Sequence, residues 1–552
     1  MVRCDAYMGV YYVHHLMRDV LLQKQCLLSE EEKREVYQTA AAWCLEHDYK
    51  MDAAGYYAQA GNYQAVANII YMYPQFLPMD VAALLFGILD GVPPDLEEEL
   101  LLRHGYRGRL LLSMGKIDQA EEEMRAVLQT LEPLNGEEDT PDNRRRLMSA
   151  YYVLGCARLL TCNSTGVYDF ADYFKKADEY GQGSGFVPQG SMRVGMVAPL
   201  RLGRSGKDKP ESYIQALTDA VPYIAHLMDG CMYGRDDLAR AELAYFQMDI
   251  AGCKRYAIQA LHKAQERRQY EVENRALFFL IRASLASGKY PPIKDAIRQM
   301  EAQLDIPDFY YRYVRYDNYT SWFYGHIGQK ELVADWMKSD FSVSQSQTVL
   351  FNYEDSARYK YYLAEQQYHT MLAMLNKRTD NIDAERYLSH EISIAIHRAV
   401  CLYNLKDQEA AFEAMRQAYE LAAPNRLYMI FVELGNHMRT LAAAAQKAGG
   451  SGVPDAWLEE MQKKAATYAK RVGQVRSQYR QAEGLEDGVQ LTPKEKNLLE
   501  DLSNGLSRAE SATARGISIN TVKMMLQYVY EKLGAENSMD AVRIASAKGL
   551  LL

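Results

Sequence analysis

Leu491-Thr492-Pro493-Lys494-Glu495, Asn504-Gly505-Leu506-Ser507-Arg508-Ala509-Glu510 and Ile517-Ser518-Ile519-Asn520-Thr521-Val522-Lys523 punctuate the last sixty residues of this 552-residue chain. Thr492 and Glu495 form a capping box with proline at the first helical position, where a missing N–H costs nothing. The first helix is predicted from Pro493 to Asn504, stopped by Gly505. Ser507 and Glu510 repeat the device for a second helix that ends near Arg515-Gly516. Ser518 caps a third, Ile519 to Leu533, with Val522, Leu526, Val529, Tyr530 and Leu533 on one apolar stripe and Asn520, Thr521, Lys523 and Gln527 facing outward at its start. Gly534 ends it, and a fourth helix follows from Ser538 to Lys548.

A helix that offers small polar and basic groups from its first turns, braced by a capped neighbour, suits a DNA major groove. Leu491-Thr-Pro-Lys-Glu495, Asn504-Gly-Leu-Ser507, Ile517-Ser518, Thr521-Val-Lys523 and Tyr530-Glu-Lys-Leu-Gly534 resemble, in order and without a gap, the LuxR-type helix-turn-helix of bacterial transcription regulators. Ser511, Arg515, Met524 and Met525 depart from the family, which has isoleucine, leucine, threonine and histidine there. Two of these are core positions, and an unpartnered buried hydroxyl costs roughly 1–3 kcal/mol. Basic and acidic side chains from Leu491 onward nearly balance, so phosphate attraction is modest.

The whole chain is acidic, with 63 Lys+Arg against 72 Asp+Glu, so DNA contact must be local. At this length it holds several domains or a repeat array. No apolar run reaches the roughly 18 residues of a membrane span, and Met1-Val-Arg-Cys-Asp5 is not a signal peptide. Its eight cysteines, without CxxC pairs or histidines at metal spacing, fit reduced thiols, most of them small core residues.

From about residue 236, similar turn segments centred on Met248, Gly288, Gly328, Gln366 and Lys406 recur about every 40 residues, the signature of an α-solenoid of tetratricopeptide-like hairpins. Like turns at Gly61 and Gly115 extend it toward the amino terminus with irregular spacing. The glycine-rich stretch from Gly181 to Gly206 fails both phosphate-binding patterns. Phe186 stands where a dinucleotide fingerprint needs glycine, and Asp208 follows Gly206-Lys207 with Arg201 in the place of a first glycine. It reads as a long interhelical loop, and no ATPase, nucleophile–base set or other catalytic residue is visible. The 42 tyrosines, dense in 308–324 and 351–368, either line a ligand-binding concave face or fill helix seams. The run Met461 to Arg480 holds Lys463, Lys464, Lys470, Arg471, Arg476 and Arg480 and no acid, which suits a solvated linker helix or an auxiliary phosphate contact.

Val10 to Leu22, and the text from Asp407 to Gly435, resemble parts of MalT-like regulators, the first being the end of the winged-helix segment that follows their ATPase. On that resemblance the chain begins where the ATPase of longer relatives ends, as a natural short form or a fragment. His14 and His15 point apart on a helix and are expected to pack rather than to bind metal. The expected fold is all-α, an α-solenoid of tetratricopeptide-like hairpins followed by a four-helix LuxR-type domain. Its divisions are 1–30 winged-helix remnant, 31–180 amino-terminal repeats, 181–235 glycine-rich interruption and connecting helices, 236–448 repeat solenoid, 449–490 linker with basic helix, and 491–552 helix-turn-helix.

The resemblance implies a cytoplasmic transcription regulator with double-stranded DNA as partner, RNA polymerase as a second partner, a small-molecule or peptide effector on the repeats, and no cofactor, metal or membrane. Asn520, Thr521, Lys523 and Gln527 would approach bases and phosphates, Lys494, Ser507 and Arg508 would hold the backbone, Ser518 would join the DNA-binding set, and Val542 and Ala545 would pair subunits of a homodimer. The rival reading is a helical-repeat interaction scaffold whose helix-turn-helix has decayed, as Ser511, Arg515 and Met525 suggest.

Overall fold

The computed structural model describes residues 2–5, 10–72, 77, 79–93, 106–132, 140–182, 184, 199–203, 209–307, 309, 312–339, 354–377, 387–485, 491–503, 505–547 and 550. Two short strands, β1 (Val2–Asp5) and β2 (Val10–Val13), pair antiparallel with Val2 opposite Val13, a small hairpin that the all-α expectation did not include. The rest of the described secondary structure is helical.

The helices of the first half are α1 (His15–Lys24), α2 (Glu30–Glu46), α3 (Lys50–Gln59), α4 (Tyr63–Met72), α5 (Met79–Asp90), α6 (Tyr106–Ser113), α7 (Ile117–Leu131), α8 (Pro141–Thr165), α9 (Phe170–Gly181) and α10 (Pro210–Leu227). Then follow α11 (Arg235–Phe246), α12 (Ile250–Glu266), α13 (Tyr270–Ala286), α14 (Pro291–Glu301), α15 (Arg312–Ile327), α16 (Glu354–Ala364), α17 (Tyr368–Lys377), α18 (Leu388–Asn404) and α19 (Gln408–Ala422). The chain continues through α20 (Met429–Val432), α21 (Asn436–Ala448) and α22 (Asp455–Ala482) to α23 (Pro493–Ser503), α24 (Arg508–Ala514), α25 (Ile519–Leu533) and α26 (Ser538–Ala547). Met1–Val472 and Gly473–Leu552 are two compact units. The stretch expected as a linker, 449–490, therefore falls on both sides of their boundary.

The five turn residues read from spacing all adopt left-handed backbone: Met248 (φ 68°), Gly288 (72°), Gly328 (73°), Gln366 (56°) and Lys406 (73°). The residue after each donates its N–H five residues back, Asp249 to Ala244 O, Lys289 to Ser284 O, Gln329 to Tyr324 O, Gln367 to Tyr362 O and Asp407 to Leu402 O, at 2.8–3.0 Å. This hydrogen bond satisfies a helix-end carbonyl and reverses the chain at once. Gly61 and Gly115 carry the same turn. After Gly328 the described chain continues in two short 3-10 turns, Lys330–Leu332 and Asp335–Met337.

Each hairpin buries its first helix between neighbours. In α13 this takes Glu271, Glu273, Asn274, Arg275 and Arg282 out of water along with the apolar residues. Their charges pair across hairpins, Arg275 with Glu242 at 3.7 Å and Arg315 with Glu271 at 3.2 Å. A buried ion that loses its partner costs about 3–5 kcal/mol, so these pairs penalise mis-stacking.

The segment containing α20 packs against α11 and α18, and Glu433 just beyond it accepts both Arg282 of α13, at 2.9 and 3.0 Å, and the hydroxyl of Tyr245 of α11. The chain thus covers part of the first-helix face with its own residues. Three tyrosines of the dense stretches, Tyr319, Tyr359 and Tyr362, are buried as seam fillers, and Tyr319 stacks on Phe278 at 4.3 Å, whereas Tyr313 is exposed. The start of α22 also belongs here, with Trp457 buried against Tyr419, Tyr428 and Phe431.

His14 and His15 are exposed rather than packed. Their rings stack at 4.3 Å, and His14 caps α1 through Leu16 N. Of the cysteines described, Cys44, Cys156, Cys162, Cys231, Cys253 and Cys401 are buried and Cys26 is exposed. Most of the glycine-rich stretch from Gly181 to Gly206 lies outside the described residues. Its described piece is anchored by Leu200 N to Glu242 and by Leu388 N to Leu202 O. Among the described residues no helix is long and apolar enough to cross a membrane, and no group of three or more His, Cys, Asp or Glu could hold a metal ion.

Candidate nucleic-acid interface

The second unit is built from short helices whose ends are closed by side chains. Thr492 N donates to Glu495 Oε2 at 2.6 Å while Glu495 N donates to Thr492 Oγ1 at 3.3 Å, the reciprocal cap expected at the start of α23. Lys532 near the end of α25 reaches the same carboxylate at 2.7 Å. Burial pushes the Glu495 carboxyl up, but hydrogen bonds from Lys532 and Thr492 outweigh it and leave the group below its ordinary value. Ser507 and Glu510 make the second capping box, and Ser518 caps α25 through Thr521 N at 3.1 Å. Gly534, at φ 68°, closes α25 in the left-handed conformation that favours glycine.

Adjacent leucines of α23 serve different clusters. Leu498 packs with Ala512, Val522 and Leu526, whereas Leu499 packs with Val529, Leu533, Ala541 and Ala545. These contacts lock the back of α25 and turn Asn520, Thr521, Lys523 and Gln527 to solvent. Among the described residues Lys494, Asn520, Lys523 and Gln527 make no side-chain hydrogen bond or ion pair. Thr521 shares a hydrogen bond with the Ser518 hydroxyl at 2.8 Å, and exposed Arg508 reaches Ser538 Oγ at 3.4 Å. Ser507 and Ser518, read as DNA contacts, spend their hydroxyls on caps.

Two expectations are corrected here. Ala545 is fully buried in this unit's own core and so offers no free face to a second subunit, while Val542 is half-buried against that core. The outward side of α26 carries Met539 and Arg543 instead. Arg515 is not in the core: its guanidinium forks onto Asp501 at 2.6 and 2.7 Å and onto Asn497 O, so α24 is tied to α23 by charge where leucine was expected to pack.

Ser511, in contrast, is a buried hydroxyl, and its Oγ has no hydrogen-bond partner among the described residues. Ser511→Ala is therefore expected to stabilise this unit by roughly 1–3 kcal/mol. The measurement is hydrogen exchange of α24 and α25 amides in the intact chain, where unchanged or lower protection would show the hydroxyl to be satisfied.

Arg515, Lys532 and Arg543 are paired with Asp501, Glu495 and Asp540, so fewer cations remain for phosphate than the composition suggests. Met524, named from the sequence only as a departure from the family, and Tyr528, not named there, both have exposed side chains. They stand four residues apart beside Gln527, and that helical spacing from Asn520 is the signal that would have found them. Met525, by comparison, is half-buried against the Leu498 cluster.

Residues 489–545 match the luxR family of bacterial regulatory proteins (GerE). A stretch of 63 residues, 11% of the chain, is 43% identical to the transcriptional regulatory protein YdfI of Bacillus subtilis (strain 168) and spans 30% of that protein's length. The chain carries a LuxR-type helix-turn-helix domain at its carboxy terminus.

Proposed function

We propose that this protein is a sequence-specific DNA-binding transcription regulator, with α25 as the reading helix and the repeat unit as the receiver of an effector. The observation that supports it best is the exposed set Asn520, Lys523 and Gln527, without side-chain partners among the described residues, on a helix whose opposite side is locked by two apolar clusters. Lys494 and Arg508 add exposed cations at the starts of α23 and α24. The order of repeats then helix-turn-helix suits a MalT-like regulator acting in the bacterial cytoplasm, as a homodimer on DNA and in reach of RNA polymerase. Pairing would use Met539 and Arg543 on the outward side of α26. No catalytic step is assigned to the chain.

The test is selection of genomic DNA by the intact chain, followed by fluorescence anisotropy at two salt concentrations. Lys523→Ala is expected to weaken all sequences alike, because a lysine on phosphate carries no base information. Asn520→Ala and Gln527→Ala are expected to change the preferred base at one position by roughly 1–3 kcal/mol. With so few free cations, the slope of log affinity against log salt should be shallower than the value of about −10 seen for a many-contact repressor. No sequence preference, together with no effect of Lys523→Ala, would leave the scaffold reading in its place.

A further inference from the structure

We propose that a cavity in the repeat unit, between α11, α13, α16, α18 and the segment around α20, binds a small hydroxylated monocarboxylate. It encloses an empty volume of ≈ 600 Å³, part of it open to solvent. The inference rests on the reading that the repeat unit senses an effector, and adds where and what.

The charge count comes first. Lys360, 7% exposed, and Arg282, 5% exposed, both face this cavity, and Glu433 is the one carboxylate in its lining among the described residues. Arg282 takes both oxygens of Glu433, at 2.9 and 3.0 Å. Lys360 Nζ is left with the backbone carbonyl of Glu433 at 3.1 Å, its sole hydrogen-bond acceptor among the described residues. An ammonium has three N–H groups, so two are unused. Among the described residues, two buried cations against one carboxylate leave one positive charge in excess in this lining, and burial pushes Lys360 down to about 8. A carboxylate supplies the missing charge and acceptors, whereas a phosphate dianion overshoots.

The hydroxyl follows from His397, 5% exposed and also in the lining. Its Nδ1 lies 2.7 Å from Ser393 O, a pure acceptor, so Nδ1 carries the proton and Nε2 presents a lone pair. Nε2 is buried and has no partner among the described residues. Burial holds this ring down to about 3, so it stays neutral near pH 7 and calls for a donor from the ligand. Phe246 and Ile430 give the apolar wall against which the ligand's body would lie.

The experiment is calorimetry on the intact chain without DNA, using lactate, 4-hydroxybutyrate, 4-hydroxybenzoate and 4-hydroxyphenylacetate, the neutral amide of each, the acids lacking the hydroxyl, and inorganic phosphate. At least one hydroxy acid is expected to bind saturably, with its amide weaker by roughly tenfold or more, the loss of a charge-assisted hydrogen bond. Lys360→Gln should remove the preference for acid over amide, and His397→Phe the preference for hydroxylated over plain acid. Melting curves report whether the variants fold, and the acid–amide comparison on the unmutated chain needs no variant. No saturable heat at millimolar concentration, equal affinity for acid and amide, or tighter binding of phosphate would overturn the proposal. Binding of the acid without any change in DNA anisotropy would uphold the cavity and reject its role as the sensor, so the two failures are distinct.

Discussion

Glu433→Ala is expected to cost the repeat unit about 3–5 kcal/mol, the usual penalty for leaving a buried charge without its partner. In the folded chain Glu433 accepts the Arg282 fork, at 2.9 and 3.0 Å, and the Tyr245 hydroxyl. Arg282 also lies over the rings of Tyr245 at 4.5 Å and Trp322 at 5.2 Å, so its guanidinium cannot withdraw to water without dismantling an aromatic cage. Removing the carboxylate takes from buried Arg282 the acceptor of its short hydrogen bonds and from Lys360 its nearest described counter-charge. Trp322, beside the pair, serves as the fluorescent reporter of a urea titration. Adding Arg282→Met to Glu433→Ala should recover much of the loss, because an apolar side chain of similar volume needs no counter-charge. A shift of the midpoint worth less than about 1 kcal/mol, or a double variant no better than the single one, would show that the pair is not desolvated.

Trp457→Ala is expected to cost a comparable amount, about 3–5 kcal/mol, because a buried indole leaves both lost contacts and a void. Its ring lies 4.9 Å from Tyr419, 5.7 Å from Tyr428 and 5.1 Å from Phe431. These three come from the end of the hairpin stack and from α20, so the tryptophan holds the beginning of α22 to the repeats. The control is Lys463→Ala on the same helix, whose solvent-exposed i,i+4 pair with Glu459 should leave the midpoint almost unmoved. Chemical denaturation of the two variants decides the matter. Equal, small shifts would mean that α22 is held by something other than this aromatic knot.

The readable parts of the fold are those encoded by neighbours in the chain. The bounds of α25, Ile519–Leu533, follow from the Ser518 cap, the apolar stripe and Gly534, all within one short stretch. The hairpin turns were legible through spacing even where Met248, Gln366 and Lys406 occupy left-handed positions without being glycine. What could not be read depends on distant partners. Glu433 meets Arg282 and Tyr245, residues separated from it by 151 and 188 positions, and nothing local marks it as the counter-ion of a buried cluster. Trp457 was hidden by the basic run that follows it, since charge on the outer side of a helix says little of what its inner side touches. Ala545, named as a pairing residue on the family resemblance, is buried in this unit's own core, which the resemblance alone does not reveal. On α25 the outward polar residues were legible and the exposure of Met524 and Tyr528 was not, because exposed apolar side chains look like core residues in a one-dimensional pattern.

Leu498 and Leu499 stand side by side in α23 yet enter separate clusters, one shared with α24 and the front of α25, the other with α26 and the back of α25. The helix is thus a party wall between two rooms, each too small to stand by itself. Neither the turn-bearing pair α24–α25 nor the fourth helix can lift away without stripping a leucine from its room. A loosening that begins around Ala541 or Ala545 must travel through α23 and α25 to the side chains that face solvent at Asn520 and Lys523, and the domain should open and close as one body.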